Sequence, residues 1–379
     1  MAIPSEVLEV HRRLTDAGFK AYLVGGCVRD LVLGRQPKDF DLATSAKPHD
    51  VQKVFKKVIP TGIEHGTVTV LMHGHHVEVT TFRSEGDYVD GRRPEKVEFH
   101  TDVEADLARR DFTINAMAED PATGEIVDPF GGREDLKARL VRCVRDPLER
   151  FGEDGLRCLR AVRFATVLEF QIEPATEAAI RPTLPVFRKV AMERVRDELL
   201  KILAAPDVER GLHLLRRTGL LKAIFGFEDV DAAAVARAPH QPELRLAVLF
   251  RSAGHCEVDR LKLSAAQTQR VQELFKHRVP DTRDDVSLRR WLSKLGPDLG
   301  RDLAALDAPE LHDKLTALAT EPLTTRDLAL DGAAIMDALQ TGPGPAVGKA
   351  SRFLLDRVLE NPALNTPEQL RALLAGWKA

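Results

Sequence analysis

The stretch Leu23-Val24-Gly25-Gly26-Cys27-Val28-Arg29-Asp30, followed ten residues beyond Arg29 by Asp39-Phe40-Asp41, decides how this chain is read. Ala21–Val24 is a short apolar run of strand type, and Gly25–Gly26 turns the chain out of it. On a strand, the two-residue period puts Asp39 and Asp41 on one face and Phe40 into the core. Two carboxylates so placed can hold two Mg²⁺ ions between oxygen ligands, an arrangement that activates an attacking hydroxyl and stabilises a leaving pyrophosphate. Gly25 and Gly26 let backbone N–H groups approach a triphosphate with no side chain in the way. A double glycine alone is an ordinary turn, and an Asp-x-Asp alone is an ordinary solvated strand end. Their order and spacing together carry the signal.

Outward from this core, Thr67–Met72 is a β-branched run and His76–Thr81 alternates in a strand-like way. Glu78 sits between Val77 and Val79, so it is either a third carboxylate on the metal face or a plain exposed strand residue. Between the strands, Pro48–Phe55 has Val51, Val54 and Phe55 spaced for one helical face. The order of strand, turn, helix, strand, strand predicts a small mixed α/β domain. After about Pro147 the pattern becomes helical, with Leu156, Leu159, Val162 and Phe164 recurring at about three residues. Ala191–Leu203, Val208–Leu215, Leu244–Phe250, Ala265–His277 and Leu288–Leu295 repeat it. Pro280–Asp285 and Gly342–Gly348 read as connectors.

The 379 residues suffice for two or three domains with a buried core. With 44% hydrophobic and 30% charged residues, the chain has neither the charge excess of a disordered protein nor the apolar excess of a membrane one. No apolar run reaches the roughly 18–20 residues of a membrane span, and Met1–His11 lacks a basic start followed by an apolar stretch, so a cytoplasmic location is expected. Cys27, Cys143, Cys158 and Cys256 form no CxxC pair, which argues for reduced core thiols over a zinc site or disulfide scaffold. The net charge of −3 neither implies nor excludes a nucleic-acid partner, because local clusters matter more than the sum.

The chain resembles the bacterial class II tRNA nucleotidyltransferases, or CCA-adding enzymes, and their relatives the bacterial poly(A) polymerases. The resemblance rests on LVGGCVRDLVLG with KDFDLATS (Leu23–Ser45), TTFRSEGDYVDGRRP (Thr80–Pro94), RRDFTINAMA (Arg109–Ala118) and DPFGGREDL (Asp128–Leu136). It continues through RDPLERFGEDGLRCLRAVRFA (Arg145–Ala165) and MERVRDELLKIL (Met192–Leu203), covering most of residues 20–205. Beyond about Leu220 it is loose, carried mainly by RLKLSAAQTQRV (Arg260–Val271). It implies an α+β fold: a polymerase-β-like nucleotidyltransferase head (1–145), a helical neck that reads the base (146–205), a helical body (206–275) and a helical, RNA-binding tail (276–379). It also implies Asp39 and Asp41 as metal ligands, Gly26 and Arg29 at the nucleotide, and Arg110 at the triphosphate or sugar. Glu153-Asp154-Gly155-Leu156-Arg157 matches the family's EDxxR motif, in which Asp and Arg read the incoming base. Arg160 and Arg163 match further nucleotide-contacting arginines. The implied substrates are CTP, ATP and tRNA, with addition of CCA to the 3′ end.

The residues support that placement. Asp154 and Arg157, three apart, would share a helical face and meet one base edge. Cytosine and adenine each present an amino donor beside a ring-nitrogen acceptor, matching a carboxylate and a guanidinium. Uracil and guanine present the reverse order and leave polar groups unpaired in a closed site. The alternative is an intrahelical ion pair worth about 0.3–0.5 kcal/mol when exposed. Arg160 and Arg163 extend the stripe at three-residue spacing, which suits a triphosphate.

Other features carry less. His73, His75 and His76 fall in a predicted hairpin turn with no further ligand at metal-binding spacing, so a solvated turn is expected. Arg92 and Arg93 belong to a glycine-containing loop, either simply exposed or mobile around the nucleotide. In CC-only relatives the corresponding segment looks shortened, whereas here Thr80–Arg109 looks full length. Residues 251–300 hold ten Lys/Arg against seven Asp/Glu, a mild excess compatible with RNA backbone or an ordinary helical surface. The rivals to CCA addition are a CC-only or A-only enzyme, a poly(A) polymerase, and, from another class, a catalytically inactive RNA-binding protein. Intact Asp39 and Asp41 argue against the last.

Overall fold

The computed structural model describes residues 3–85 and 97–377. The chain forms two compact units: residues 1–232 with 260–262, and 233–259 with 263–379.

The first unit opens with α1 (Ser5–Asp16), whose buried Val7, Val10, His11 and Leu14 recur at helical spacing. There follow β1 (Ala21–Val24), α2 (Gly26–Val32), β2 (Asp41–Thr44), α3 (Pro48–Val54), β3 (Val58–Gly62), β4 (Thr67–Met72) and β5 (His75–Thr81). Next come β6 (Arg83–Glu85), β7 (Val97–Phe99), α4 (Val103–Ala108), β8 (Ala118–Glu119), β9 (Ile126–Val127), α5 (Gly132–Ala138) and β10 (Leu140–Val141). Seven strands make one mixed sheet in the order β3-β4-β5-β2-β1-β8-β9. Only β2 and β5 pair in parallel within it. Val24, Ala43, Phe82, Ala118 and Val144 form a core to which α4 contributes Val103 and Leu107. The β4–β5 turn is His73-Gly74, both with positive φ (49° and 86°), as a two-residue hairpin requires.

The change to helices occurs where the sequence places it. Asp146 caps α6 (Pro147–Glu153), accepting from the Leu148 and Glu149 N–H groups at 2.8 and 3.1 Å, with Pro147 pre-set for the first turn. Then follow α7 (Leu156–Val167), β11 (Gln171–Ile172), α8 (Pro174–Phe187), α9 (Met192–Ala204) and α10 (Val208–Thr218). Leu156, Leu159, Val162 and Phe164 are all buried, and α7 packs against α9 and α10.

The second unit is helical, its longest helix running Pro345–Glu360. That helix absorbs Gly348, so the expected Gly342–Gly348 connector ends at Gly344, because Pro345 initiates a helix rather than prolonging a loop. Pro280–Asp284 is irregular as expected, and Asp284 caps the helix Asp285–Leu295. All four cysteines are free, three of them buried. Among the described residues, no helix is long and apolar enough to cross a membrane.

Candidate active site

Parallel pairing of β2 with β5 sets Asp41 directly opposite Glu78 in register. Equivalent positions on neighbouring strands project to the same face, so a signal split between two distant segments becomes one carboxylate pair. Asp39 joins them from the loop before β2, which begins only at Asp41. The expectation of both aspartates on one strand is therefore corrected. Phe40 is half-buried rather than a core residue, because the irregular backbone at 39–40 does not impose the two-residue alternation. Burial pushes the Asp41 carboxyl above its usual range; Arg110 opposes this and Asp39 adds to it. Glu78 is likewise raised by burial and then by Asp41. Among the described residues no three His, Cys, Asp or Glu side chains close into a metal-holding group.

Gly25 sits at the end of β1 with φ 78° and ψ −129°, a conformation only glycine takes up readily. A Cβ there would lie 2.7 Å from Arg110 Nη1, so the missing side chain is what lets that guanidinium lie across the turn. Arg29, on α2, bonds Asp30 and donates to Asn115 Oδ1 at 2.8 Å. Arg110 and its neighbour Arg109 both pair with Asp106 of α4.

The arginines of α7 are held in a buried ionic chain. Arg160 grips Asp111 with Nε at 2.8 Å and Nη2 at 2.6 Å, and Arg163 bonds Glu198 of α9. Glu198 also meets Arg160 at 3.8 Å and Lys201 at 3.1 Å. Burial alone would raise the Asp111 carboxyl, but the charge and hydrogen bonds of Arg160, with help from Asn115, bring it down to about 2. Arg29, Arg160 and Arg163 converge on the Phe164 ring, their guanidinium carbons 5.4, 5.4 and 3.6 Å from its centre.

Asp154 and Arg157 do not share a helical face. Asp154 lies in the break between α6 and α7 with extended φ and ψ (−140°, 104°), and its Oδ1 accepts from the Leu156 N–H at 3.0 Å. Packing at the break requires glycine at position 155. A Cβ on Gly155 would stand 2.6 Å from the Phe187 backbone at the end of α8. Arg194 of α9 binds Asp154 at 2.7 and 3.3 Å. Arg157 is 7% exposed and donates to the Arg150 and Arg109 carbonyls, each at 3.1 Å, and to Glu153.

All eleven residues singled out in the sequence nevertheless line one cleft of about 760 Å³. Asp41 and Glu78 come from the sheet and Asp39 from the loop before β2; Gly25, Gly26 and Arg29 come from the turn and α2, Arg110 from just past α4, Asp154 from the break before α7, and Arg157, Arg160 and Arg163 from α7. Nine Lys and Arg side chains line it against five carboxylates, in a chain of net charge −3. Such a cleft concentrates polyanions. Sequence reasoning missed Asp106, Asp111, Arg194 and Glu198. All but Asp106 lie inside motifs quoted above, but nothing local assigns them a partner. His73 and His75 turn instead toward Glu9 and Glu6 of α1, at 3.0 and 3.6 Å. The Arg92–Arg93 loop lies outside the described residues.

Residues 21–142 match the family model described as "Poly A polymerase head domain", and residues 169–233 that described as "Probable RNA and SrmB- binding site of polymerase A". The CCA-adding enzyme of Lactococcus lactis subsp. cremoris is 35% identical over 400 aligned positions, covering 98% of this chain and 96% of that one. The chain belongs to the CCA-adding enzyme family. The CCA-adding enzyme of Lactobacillus johnsonii is 48% identical over 220 residues, a match spanning 58% of this chain and just over half, 55%, of that enzyme's length. Among solved structures, the Bacillus stearothermophilus CCA-adding enzyme in complex with CTP superposes with a TM-score of 0.86 at 33% identity, over 99% of this chain and 98% of that one. Membership accounts for the mixed head followed by helices. Within this CCA-adding enzyme fold, the carboxylates and the arginines line a single cleft.

Proposed function

We propose that this chain adds C, C and A to the 3′ end of tRNA from CTP and ATP. The observation that carries the reading is the convergence of the carboxylates of Asp39, Asp41 and Glu78 with an arginine-rich set of side chains on one cleft. In the reaction the RNA 3′-OH attacks the α-phosphate and pyrophosphate departs. The domains follow that division of labour: head 1–145 for phosphate chemistry, neck 146–205 for the base, body 206–275 and tail 276–379 for RNA.

The donor set fits Mg²⁺. It is all oxygen, and the carboxylates of Asp41 and Glu78 are raised by desolvation in the cleft, Asp39 adding to the first and Asp41 to the second, which a hard cation would relieve. Asp39 and Asp41 would hold the two ions, with Glu78 beside them, and bound Mg²⁺ would lower the pKa of the attacking hydroxyl and neutralise the leaving group. Too few protein ligands for a closed cage suits Mg²⁺, which keeps water and substrate phosphate in its shell.

The protein's own groups do the rest. Gly25 and Gly26 admit the phosphates to the backbone, and Arg29, Arg110, Arg160 and Arg163 offset their charge. Asp154 accepts from the exocyclic amino group of C or A while Arg157 donates to the ring nitrogen; a carboxylate has lone pairs enough to keep Arg194 as well. U and G would set acceptor against acceptor. Arg194 thereby fixes the orientation of Asp154.

The test uses tRNA transcripts ending before C, after CC and after CCA. Stepwise extension of the first to CCA, addition of A alone to the second and none to the third is expected. Acceptance of only CC-ended RNA would point to an A-adding enzyme, arrest after CC to a CC-adding one, and unchecked A tracts on varied RNAs to poly(A) synthesis.

A further inference from the structure

We propose that Asp106 is a positioning residue for the phosphate end of the nucleotide, acting through Arg110 and Arg109; this rests on the nucleotidyl-transfer reading above. Asp106 has no solvent exposure, yet it carries a carboxylate within α4. An unpaired charge there would be costly, and it is matched by four N–H groups from three residues. Arg109 bonds Oδ1 at 2.7 Å through Nη2 and at 3.1 Å through Nε, Arg110 bonds Oδ2 at 3.1 Å, and the Arg83 N–H approaches Oδ1 at 3.4 Å. Arg83, Arg109 and Arg110 all line the cleft.

Two arginines adjacent in sequence point apart by default. At i+3 and i+4 from Asp106, just past the end of α4, both can reach back to one carboxylate, and its two oxygens divide them. This leaves Arg110 lying over the Gly25 turn, where its Nη1 donates to the Asn115 carbonyl at 3.4 Å. One anion against two cations leaves the cluster net positive toward the cleft. The Arg83 N–H, at the start of β6, is tied to the same carboxylate. The carboxyl remains ionised because Arg109 and Arg110 outweigh its burial.

Asp106→Asn keeps the shape and removes the charge. CTP and ATP binding to the full chain in Mg²⁺ buffer, with inorganic tripolyphosphate as a base-free probe, reads the effect. All three affinities are expected to fall by the same factor, about ten- to a hundredfold, as for a misplaced charge-assisted hydrogen bond. RNA binding and the preference for C and A over U and G are expected to stay unchanged. On an Arg110→Ala background, Asp106→Asn is expected to add little. Arg110→Lys, which keeps the charge without the fork, is expected to show a comparable loss and serves if Asp106→Asn does not fold. Wild-type affinity in a folded Asp106→Asn or in Arg110→Lys, or a full additional loss on the Arg110→Ala background, would overturn the proposal. Failure of the wild type itself to bind CTP would instead count against the nucleotidyl-transfer reading.

Discussion

Arg194 binds Asp154 through both terminal nitrogens, at 2.7 and 3.3 Å, while Arg157, three residues from Asp154, turns into a buried network with Glu153 and two backbone carbonyls. The two base-reading candidates are thus held by different anchors, and their substitutions should diverge. Asp154→Ala loses a hydrogen bond to the Leu156 N–H worth about 1 kcal/mol and should admit UTP and GTP. Arg157→Ala should relax base choice too, but at a further cost of about 3 kcal/mol, because two carbonyls lose a donor and Glu153 keeps only Arg150 of its two arginines. Competition among the four nucleotides, paired with urea unfolding, checks both; strict selectivity in Asp154→Ala would remove it from base reading.

Asp39→Ala and Asp41→Ala should each abolish addition of C and of A alike, since each would remove an oxygen ligand of the proposed metal site. RNA affinity should survive, because phosphate contacts elsewhere carry it. Single-turnover assays beside filter binding make the comparison, and near-normal turnover in either variant would defeat the metal assignment.

Asp111 titrates at about 2 when folded, against an ordinary value of 3.8. A depressed folded value means that folding favours the ionised form. The contribution is therefore complete above about pH 4 and is lost as pH falls toward 2. The shift corresponds to about 2 kcal/mol. Asp111→Asn should be less stable than wild type at pH 6, with the gap narrowing below pH 4. Denaturant titrations across that range would show parallel curves if the Asp111–Arg160 pair did not contribute.

Gly25→Ala forces an L-residue into positive φ and places a methyl 2.7 Å from Arg110 Nη1. Arg110 can swing away, so the protein should fold with a loss of about 1–2 kcal/mol while nucleotide affinity drops. Gly155→Ala meets the Phe187 backbone, which cannot yield, and should destabilise considerably more. Thermal melts with and without CTP distinguish the two; equal melting temperatures would contradict the close approach at Gly155.

Deleting residues 85–91 should leave C addition largely intact and suppress A addition, if a full-length loop reshapes the pocket between the smaller and larger base. Residues 86–91 lie outside the described residues, so the expectation stands on sequence length alone. Equal loss of C and A on the staged transcripts would contradict it.

Sequence by itself determined whatever depends on near neighbours. The strand Ala21–Val24, the glycine turn, the Thr67–Thr81 hairpin and the face Leu156, Leu159, Val162 and Phe164 all follow from two- or three-to-four-residue periods. Motif order named ten residues and strand alternation an eleventh, Glu78, that meet in one cleft. Tertiary structure decided how those residues are held. Asp154 finds Arg194 at a separation of 40, Asp111 finds Arg160 at 49, and Arg163 finds Glu198 at 35. Local pattern overreached in two places: the chain leaves helical geometry at Asp154, so Asp154 and Arg157 share no helical face, and Asp39 stops short of its strand. Periodicity reports which side of an element faces inward, but which charges share that interior depends on how separate elements pack.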